Sequence, residues 1–223
     1  MKMCGRFTLT SNLDDLQGRF GFEALLPEYG PRYNIAPTQG VVTVTNDGQR
    51  TAQFMRWGLV PFWAKDVKVG YRMINAVGET LAAKPAFRTA FRKRRCLILA
   101  DGFFEWRKDG KLKIPTYIFL KSREPFAFAG LWETWKAPGG DVMRSCTIVT
   151  TKPNDFIAPI HNRMPVVLSQ EAEALWLDPM TEDTATLTPL LIPSPPELMD
   201  SYVVADVVNS PKNSGPDCIE PIE

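Results

Sequence analysis

The 223-residue sequence predicts a mixed α+β fold, arranged around an antiparallel β-sheet or barrel-like core with a few flanking helices. Short runs rich in β-branched and aromatic residues recur along the chain, with Gly, Pro, Asn and Asp between them. Helical periodicity is confined to short segments between these runs. No internal repeat or long low-complexity linker interrupts the chain, so we expect a single domain over residues 1–223.

The strands are predicted from apolar runs bounded by turn residues. A hairpin is expected where Val41–Thr45 leads through the turn Asn46-Asp47-Gly48 into Thr51–Trp57. Cys96–Ala100 is an apolar run typical of a buried strand. The other predicted strands are Lys113–Leu120, Phe126–Leu131, Arg144–Thr151, Met164–Leu168 and Tyr202–Val208.

The predicted helices are fewer and shorter. Asn12–Phe20 begins with an Asn cap and places Leu13, Leu16 and Phe20 on one face, and Ser169–Leu177 begins with a Ser cap and carries Leu175 and Trp176. Glu79–Ala83 is predicted as a short helix, and Thr184–Leu191 carries a weaker helical pattern. The proline-rich segment Pro193–Pro196 is interpreted as a surface loop.

Composition excludes several classes of protein. Hydrophobic residues make up 44% and charged residues 23% of the chain, as in an ordinary globular protein. No apolar run is long enough to cross a bilayer, and the polar N-terminus does not resemble a signal peptide. We therefore expect a cytoplasmic protein that does not act at a membrane.

The cysteine and histidine content predicts neither a disulfide framework nor a metal site. Cys4, Cys96, Cys146 and Cys218 are widely spaced and form no CxxC pair, so we expect free thiols. A single histidine, His161, with scattered cysteines is a poor zinc-binding set. The chain also lacks a glycine-rich phosphate loop, so no metal and no nucleotide or other cofactor is expected.

The charge is unevenly distributed although the formal net charge is only +1. Residues 170–223 contain 11 acidic residues and one basic residue, which leaves 25 basic and 14 acidic residues in 1–169. The stretch between Glu79 and Asp101 contains six basic residues and no acidic one. This asymmetry favours a polyanionic partner, although on charge alone a solvated basic face is the more ordinary interpretation.

Cys4 is the first candidate for covalent chemistry. A cysteine at a mature N-terminus carries an amine and a thiol on adjacent carbons. The amine forms a Schiff base with an aldehyde, and the thiol then closes a five-membered thiazolidine. Both groups are usable near neutrality, with reference pKa values of roughly 7.7–8.0 and about 8.5. The alternative is that Cys4 is a small buried apolar residue.

Glu105 and His161 are candidates for proton transfer. Glu105 follows an apolar strand and lies among aromatic residues, so a raised pKa is expected, although a glutamate at the rim of an ordinary strand is the alternative. His161 lies in a polar turn between apolar segments, where a side chain can face a cleft. A lone histidine is nevertheless more often structural than catalytic.

Seven segments, in order along nearly the whole chain, resemble motifs of the SOS-response-associated peptidase (SRAP) family. They are Cys4-Gly-Arg-Phe7, Tyr33-Asn-Ile-Ala-Pro37, Arg56-Trp-Gly-Leu-Val-Pro61, Ile74-Asn-Ala76 with Glu79-Thr80, Ala100–Trp106, Ile160–Pro165, and Val208-Asn209 with Lys212-Asn213.

The resemblance implies an SRAP fold and a protein that captures abasic sites in single-stranded DNA without a metal or cofactor. The family forms a thiazolidine with the ring-opened deoxyribose. By resemblance, Cys4 is the nucleophile, Asn75 orients its α-amine, Glu105 moves protons and His161 assists sugar opening. The implied DNA-contacting residues are Arg6, Asn34, Trp57, Trp63, Arg88, Arg92, Arg94 and Trp106. Some of the aromatic residues would stack on bases. At least two of Trp57, Trp63, Phe104 and Trp106 are expected to be core residues.

Three features depart from the family pattern. Met1-Lys2-Met3 precede Cys4, so we expect that the three residues are removed by self-cleavage or that translation starts at Met3. Val77 stands where the family has arginine, and Asn162 stands where it has aspartate.

Two alternative functions remain open on the sequence alone. A self-processing cysteine peptidase would use Cys4, Glu105 and His161 and would release residues 1–3. A non-covalent binder of single-stranded DNA would need none of this chemistry. In each case we expect a monomer.

Overall fold

The computed structural model describes residues 4–24, 26, 28–47 and 50–222. The fold is mixed α+β, consists mostly of strands and has few helices, as predicted. The helices of the described residues are α1 (Leu13–Phe20), α2 (Arg88–Lys93), α3 (Gln170–Leu177) and α4 (Thr184–Leu187). The strands are β1 (Arg6–Leu9), β2 (Glu23–Ala24), β3 (Arg32–Ile35), β4 (Gly40–Thr45), β5 (Thr51–Trp57), β6 (Asn75–Val77), β7 (Arg95–Ala100), β8 (Gly102–Asp109), β9 (Leu112–Leu120), β10 (Phe126–Lys136), β11 (Val142–Thr151), β12 (Met164–Pro165), β13 (Val167–Leu168) and β14 (Met199–Val203).

Five strands form a closed, barrel-like sheet. Antiparallel pairing runs in the order β11-β10-β7-β4-β5, and a parallel pairing of β5 with β11 closes the ring. Ser145 pairs with Arg56 and Cys146 with Trp57 at this closure. Beyond the closure, β6 pairs with β11 in parallel, which aligns Asn75 with Ile148.

A second sheet of five antiparallel strands, in the order β14-β9-β8-β1-β3, packs on the barrel. On its barrel side, Phe7 and Phe103 lie edge-on to Phe128 of β10, with ring centroids 5.7 and 6.1 Å away. Its opposite side carries Phe104 and Tyr117, which belong to a separate apolar cluster with the C-terminal chain. Alternate residues of β8 therefore face two different cores.

The helix caps predicted from the sequence are confirmed. The Asn12 side chain accepts a hydrogen bond from the Asp15 backbone, and the Ser169 hydroxyl accepts one from Ala172. Thr184–Leu191 is α-helical only as far as Leu187 and continues as a 3-10 turn, because Pro189 lacks a backbone N–H. The predicted helix Glu79–Ala83 is likewise a short 3-10 turn over Gly78–Thr80.

Three predicted strands were wrong in their bounds, and five observed strands (β1, β2, β3, β6 and β8) were not predicted. Phe126–Leu131 continues to Lys136. Tyr202–Val208 is a strand only as far as Val203, and Asp206–Asn209 forms a 3-10 turn. Met164–Leu168 is divided at Val166, whose N–H binds Val149 of β11 while its carbonyl binds Ala129 of β10. Four of the unpredicted strands are at most four residues long, too short for an alternating pattern to stand out, and β8 has apolar residues at consecutive positions, Phe103 and Phe104. The predicted hairpin is present, but Gly48 of its turn lies outside the described residues.

No helix among the described residues has both the length and the apolar character that a membrane crossing requires.

Candidate active site beside strands β1 and β8

Cys4 and Glu105 are brought together by the pairing of β1 with β8. The ladder pairs Arg6 with Phe104 and Phe7 with Phe103, so that the chain before β1 runs alongside Glu105. The backbone nitrogen of Cys4 donates a hydrogen bond to Glu105 Oε1 at 2.7 Å. This nitrogen becomes the α-amine if Cys4 is the first residue of the mature chain. Residues 1–3 lie outside the described part of the chain.

Glu105 is buried, and burial raises its pKa to about 8. Hydrogen bonds from the backbone N–H groups of Cys4 and Trp106 oppose this rise by stabilising the charged form. The expected increase in pKa is thus confirmed. The pKa rises because burial removes the carboxyl group from water. The neighbouring Phe104 packs in the cluster on the opposite side of the sheet and does not surround the carboxyl group. A carboxyl group with this pKa can both donate and accept a proton near neutrality.

The Cys4 thiol differs from the simple expectation of a thiol that ionises near neutrality. The residue is fully buried, and burial, with a smaller contribution from the Glu105 charge, raises the pKa of the thiol well above its ordinary value. The thiol is therefore neutral at physiological pH in this environment. Its attack on an electrophile requires a base that takes up the thiol proton. Glu105, which accepts a hydrogen bond from the Cys4 nitrogen, is a candidate for this base.

Asn75 holds the other side of Cys4. Its Nδ2 donates to the Cys4 carbonyl oxygen at 3.4 Å. Strand β6 presents Asn75 at this position because it pairs with β11 beyond the closure of the barrel. Cys4, Asn75 and Glu105 therefore form one hydrogen-bonded group although they come from three distant segments of the chain.

His161 is buried in the turn before β12 and is held by Arg163. Its Nδ1 lies 3.1 Å from both the backbone nitrogen and the backbone oxygen of Arg163, so either ring tautomer has a partner. Burial lowers the pKa of His161, and the charge of Lys108 on β8 adds to the effect. The ring is therefore neutral at pH 7 and suited to accept a proton.

The Arg163 side chain was not singled out from the sequence. Its guanidinium forms two hydrogen bonds with the Glu79 carboxylate, at 2.5 and 2.7 Å, and one with the carbonyl oxygen of Thr150 at 2.7 Å. The hydrogen bonds from Arg163 lower the pKa of Glu79. Arg163 thus links the histidine turn to β11 and to the 3-10 turn after β6.

Asp101 was also not singled out, although it lies inside one of the family motifs. Its Oδ1 accepts a hydrogen bond from the Thr8 hydroxyl at 2.5 Å. Its Oδ2 accepts from the backbone N–H and hydroxyl groups of both Thr10 and Ser11. At the next residue, a Cβ on Gly102 would lie 2.2 Å from the Tyr117 hydroxyl, so only glycine fits there. These contacts join the end of β1 to the start of β8.

Three of the predicted DNA-contacting residues make contacts within the protein. Trp57 is fully buried and donates from Nε1 to the Ile74 carbonyl at 2.8 Å, which leaves no ring face for base stacking. Asn34 is buried and donates to the carbonyl oxygens of Val208, Ser210 and Asn213. Arg6 donates to Asn34, Val208 and Asn209, so its hydrogen-bonding capacity is largely used within the protein.

Trp106 and Trp63 have different surroundings. Trp106 is half-buried against the apolar cluster of the C-terminal chain, and its Nε1 donates to Asn209 Oδ1 at 2.7 Å. Trp63 is 54% exposed in the loop between β5 and β6, next in sequence to the exposed Phe62, and Tyr71 of the same loop is also exposed. Of the four aromatic candidates, Trp57 and Phe104 are core residues, and Trp63 retains a free surface for stacking.

The basic segment before β7 is partly neutralised by acidic residues from other parts of the chain. Arg88 is exposed, but Arg92 lies 3.4 Å from Glu182. Arg94 is half-buried in an ion pair with Glu133 at 2.7 Å. A count of charges within the segment alone therefore overestimates the positive charge at this surface. Arg88 is the one of the three predicted arginines that has no ion pair among the described residues.

No group of three or more His, Cys, Asp or Glu residues suited to a metal ion occurs in the described ranges of the chain.

Comparisons with known proteins identify relatives of the chain. Residues 3–211 match the family model described as SOS response associated peptidase (SRAP). Abasic site processing protein YoqW of Bacillus subtilis is 50% identical over 98% of this chain and 99% of its own length. Abasic site processing protein HMCES of Gallus gallus is 31% identical over 94% of this chain and 72% of its own length. A crystal structure of a Bacteroides thetaiotaomicron protein, 28% identical, superposes with a TM-score of 0.90 and covers 99% of this chain and 100% of that one.

Proposed function

The chain belongs to the SOS response associated peptidase family, and on that premise we propose that it processes abasic sites in single-stranded DNA by forming a covalent bond between Cys4 and the damaged sugar. The observation that carries the proposal is the 2.7 Å hydrogen bond from the Cys4 nitrogen to Glu105, with Asn75 on the Cys4 carbonyl. Relatives named abasic site processing proteins support the choice of target.

The proposed reaction begins once residues 1–3 are absent and Cys4 carries a free α-amine. The amine adds to the aldehyde carbon of the ring-opened sugar, and loss of one water gives a Schiff base. The Cys4 thiol then adds across the carbon–nitrogen double bond, so that sulfur binds the carbon and the thiol proton ends on the nitrogen. The thiazolidine forms with net release of one water and without an oxidant or reductant.

Glu105 is suited to move the protons in this sequence. In the chain that retains residues 1–3, burial raises its pKa to about 8. The Cys4 nitrogen lies within hydrogen-bonding distance of this carboxyl group, so a proton can pass directly between the two groups once the nitrogen is an amine. The protonated carboxyl group then donates its proton to the departing water, and the resulting carboxylate accepts the thiol proton. His161, neutral at pH 7, is assigned to opening of the sugar ring.

The DNA-binding surface is proposed to combine aromatic and basic residues. Trp63 offers an exposed ring in the loop that leads into Asn75, and Lys65, Lys68 and Arg72 are exposed in the same loop. Exposed aromatic rings among cations are typical of surfaces that bind single-stranded nucleic acids without sequence preference. Arg88 and Arg92 of α2 would add phosphate contacts.

Self-processing is a second candidate activity, which the same geometry supports. The nitrogen bonded to Glu105 is the leaving group of the Met3–Cys4 peptide bond. Water adds to the Met3 carbonyl carbon, the bond from this carbon to the Cys4 nitrogen breaks, and a protonated Glu105 donates its proton to the departing nitrogen. Release of residues 1–3 would then generate the amine that the crosslinking reaction requires.

Intact mass spectrometry tests both activities. We expect the active protein to begin at Cys4 and its adduct with an abasic single strand to weigh the sum of the two minus one water. Cys4→Ala should abolish the adduct, whereas Cys96→Ala, which alters a buried barrel thiol, should retain it. An adduct that persists in Cys4→Ala, or forms on a chain still carrying residues 1–3, would overturn the thiazolidine. Reversible binding without any adduct would indicate a non-covalent binder.

A further inference from the structure

The C-terminal segment 207–213 contacts β1, which follows Cys4, and β8, which carries Glu105. Asn209 is central to these contacts. Its carbonyl oxygen accepts from Arg6 Nη2 at 3.1 Å, and its side-chain Oδ1 accepts from Trp106 Nε1 at 2.7 Å. Arg6 lies two residues after Cys4, and Trp106 lies one residue after Glu105. One residue near the C-terminus therefore binds next to each member of the pair.

Arg6 of β1 and Asn34 of β3 hold the segment by hydrogen bonds to its backbone carbonyl groups. Arg6 also donates to the Val208 carbonyl at 2.7 Å and to Asn34 Oδ1 at 2.8 Å. Asn34 donates to the carbonyl of Asn213 at 2.8 Å. The segment is thus held by several hydrogen bonds from β1 and β3, and Val208 packs into the apolar cluster beneath it. Asn209 is placed by these contacts, and its own amide donates to Asp206 Oδ1 at 3.0 Å.

Ladder pairing of β1 with β8 does not extend to the reactive pair. The pairing begins at Arg6 opposite Phe104, so Cys4 and Gly5 precede it. Once residues 1–3 are lost, Cys4 is a chain terminus, and termini fray unless other contacts hold them. A link that joins Arg6 to Trp106 across the two strands limits this fraying at the point where the ladder ends.

We infer that Asn209 is a positioning residue that sets the distance between the Cys4 amine and the Glu105 carboxyl group by linking Arg6 to Trp106. The inference rests on the proposed function and adds a role for the C-terminal motif, which contributes no reactive group. Asn209 itself touches neither DNA sugar nor nucleophile in this assignment. Reactions of held groups are sensitive to their spacing, and a displacement of about 1 Å can cost on the order of 100-fold in rate.

The test compares reaction rate with binding in protein that begins at Cys4. Asn209→Ala should lower the single-turnover rate of adduct formation at saturating abasic DNA by about 10- to 100-fold. Affinity for a tetrahydrofuran analogue, which lacks the aldehyde, should change by less than about twofold. Asn209→Asp keeps an oxygen acceptor for Trp106 and should restore most of the rate. A purely structural role would not produce this split between rate and affinity.

A double-mutant cycle and a matched control isolate the hydrogen bond. Trp106→Phe removes the same bond from its donor side, so its effect on the rate should not add to that of Asn209→Ala. Asn213→Ala is the control, because among the described residues the Asn213 side chain donates a hydrogen bond to Val207, inside the segment, and to neither β1 nor β8. It should leave the rate within about threefold even where it lowers the melting temperature. Additive effects in the cycle, or equal rate losses in Asn209→Ala and Asn213→Ala, would overturn the inference.

Glycolaldehyde separates this inference from the proposed function. It presents the same aldehyde chemistry without DNA, and its adduct adds the mass of the aldehyde minus one water. If the wild-type protein reacts with glycolaldehyde but not with abasic DNA, the proposed function fails. The rates of the Asn209 variants with glycolaldehyde then still decide the positioning role. If neither aldehyde reacts, both the proposed function and the positioning role are wrong.

Discussion

At the scale of single residues, the environment of Glu105 determines its chemistry. In water a glutamate is ionised at neutral pH and is a poor proton donor. Burial in this structure raises its pKa to about 8, so the acid and the base forms are both populated near neutrality. The Cys4 nitrogen lies within hydrogen-bonding distance of this carboxyl group. The two observations together suit the site to repeated proton exchange with an amine.

Glu105→Gln should lower the rate of adduct formation by about 10²–10⁴-fold, the usual contribution of general acid–base catalysis. Glutamine retains the shape and can still accept a hydrogen bond from Cys4, but it cannot exchange a proton. Affinity for the aldehyde-free analogue should stay within about twofold of wild type. The measurement pairs single-turnover rates with equilibrium binding. Equal losses in both would show that Glu105 only binds or supports the fold.

Glu105 should also make stability depend on pH in the chain that retains residues 1–3. Its folded pKa lies above the unfolded value, so the folded state holds the proton more tightly. The resulting stabilisation is complete below about pH 4.5 and is lost as pH rises to about 8. Relative to Glu105→Gln, the wild type should therefore lose on the order of a few kcal/mol across this interval. Urea unfolding at several pH values measures the difference, and a rise in relative stability with pH would contradict the assignment.

At the scale of secondary-structure elements, the ends of α2 and α3 are joined by one buried basic residue, Arg95, whose hydrogen bonds are all made within the protein. Arg95, the first residue of β7 and two residues after the end of α2, is fully buried. Its guanidinium donates to the carbonyls of Phe91 and Arg92, at the end of α2, and of Trp176 and Asp178, at the end of α3. A cation is favourable at helix C-termini, where carbonyl groups lack partners. The distribution of charge along the sequence assigns Arg95 to a basic patch. In the structure its charge instead stabilises the C-terminal ends of two helices.

The exposed face of α2 is partly covered by acidic side chains near α4. Glu182 lies 3.4 Å from Arg92 and 3.5 Å from Lys93, and all three side chains are well exposed. Exposed ion pairs of this kind contribute little to stability. Their consequence here is electrostatic, since Glu182 reduces the positive charge that a DNA backbone would meet at this helix.

Glu182→Gln should therefore raise affinity for undamaged single-stranded DNA by about two- to fivefold at low salt, in line with the size of exposed charge interactions. The logarithm of affinity should also fall more steeply with the logarithm of salt concentration, by about 0.7 for each additional phosphate that the freed arginine or lysine neutralises. Glu124→Gln makes the same change in net charge at an exposed position away from α2 and is the matched control. Equal effects of the two variants would attribute the tighter binding to net charge and not to α2.

At the scale of the whole molecule, closure of the barrel places the loop between β5 and β6. Gly58 donates to the Cys146 carbonyl at the closure, and the Ile148 N–H donates to Ile74 at the other end of the loop. Gly58 and Gly70 approach so closely that a Cβ on Gly58 would lie 2.7 Å from the Gly70 oxygen. This close approach fixes the conformation of the loop. The loop exposes Trp63 and leads directly into Asn75.

Gly58→Ala should destabilise the protein by about 1–3 kcal/mol, because its φ of +120° and the contact with Gly70 both exclude a side chain. It should also slow adduct formation by displacing Asn75. Gly139→Ala, at a position where a Cβ meets nothing within 4 Å, is the control and should be nearly neutral. Thermal unfolding and single-turnover rates test this, and an unchanged melting temperature in Gly58→Ala would contradict the role of the glycine pair.

Features governed by short-range interactions could be read from the sequence. The caps at Asn12 and Ser169 depend on hydrogen bonds to residues three positions away, and both are present. The apolar strand at Cys96–Ala100 needs only its own pattern. In contrast, β1 is only four residues long and β8 has aromatic residues at the consecutive positions Phe103 and Phe104, so neither shows a clear alternating pattern. Their pairing depends on contacts between residues about a hundred positions apart, which the tertiary structure brings together.

The sequence by itself determined which reactive groups the protein has, the approximate order of strands and helices, and the family to which the chain belongs. Only the tertiary structure decided which of those groups meet and in what state. It placed Glu105 beside Cys4, 101 residues away, and raised the pKa of both by burial. It also directed Arg6 and Asn34 towards the C-terminal segment instead of towards solvent. Burial and partner choice depend on contacts between distant parts of the chain, and local patterns carry no record of those contacts.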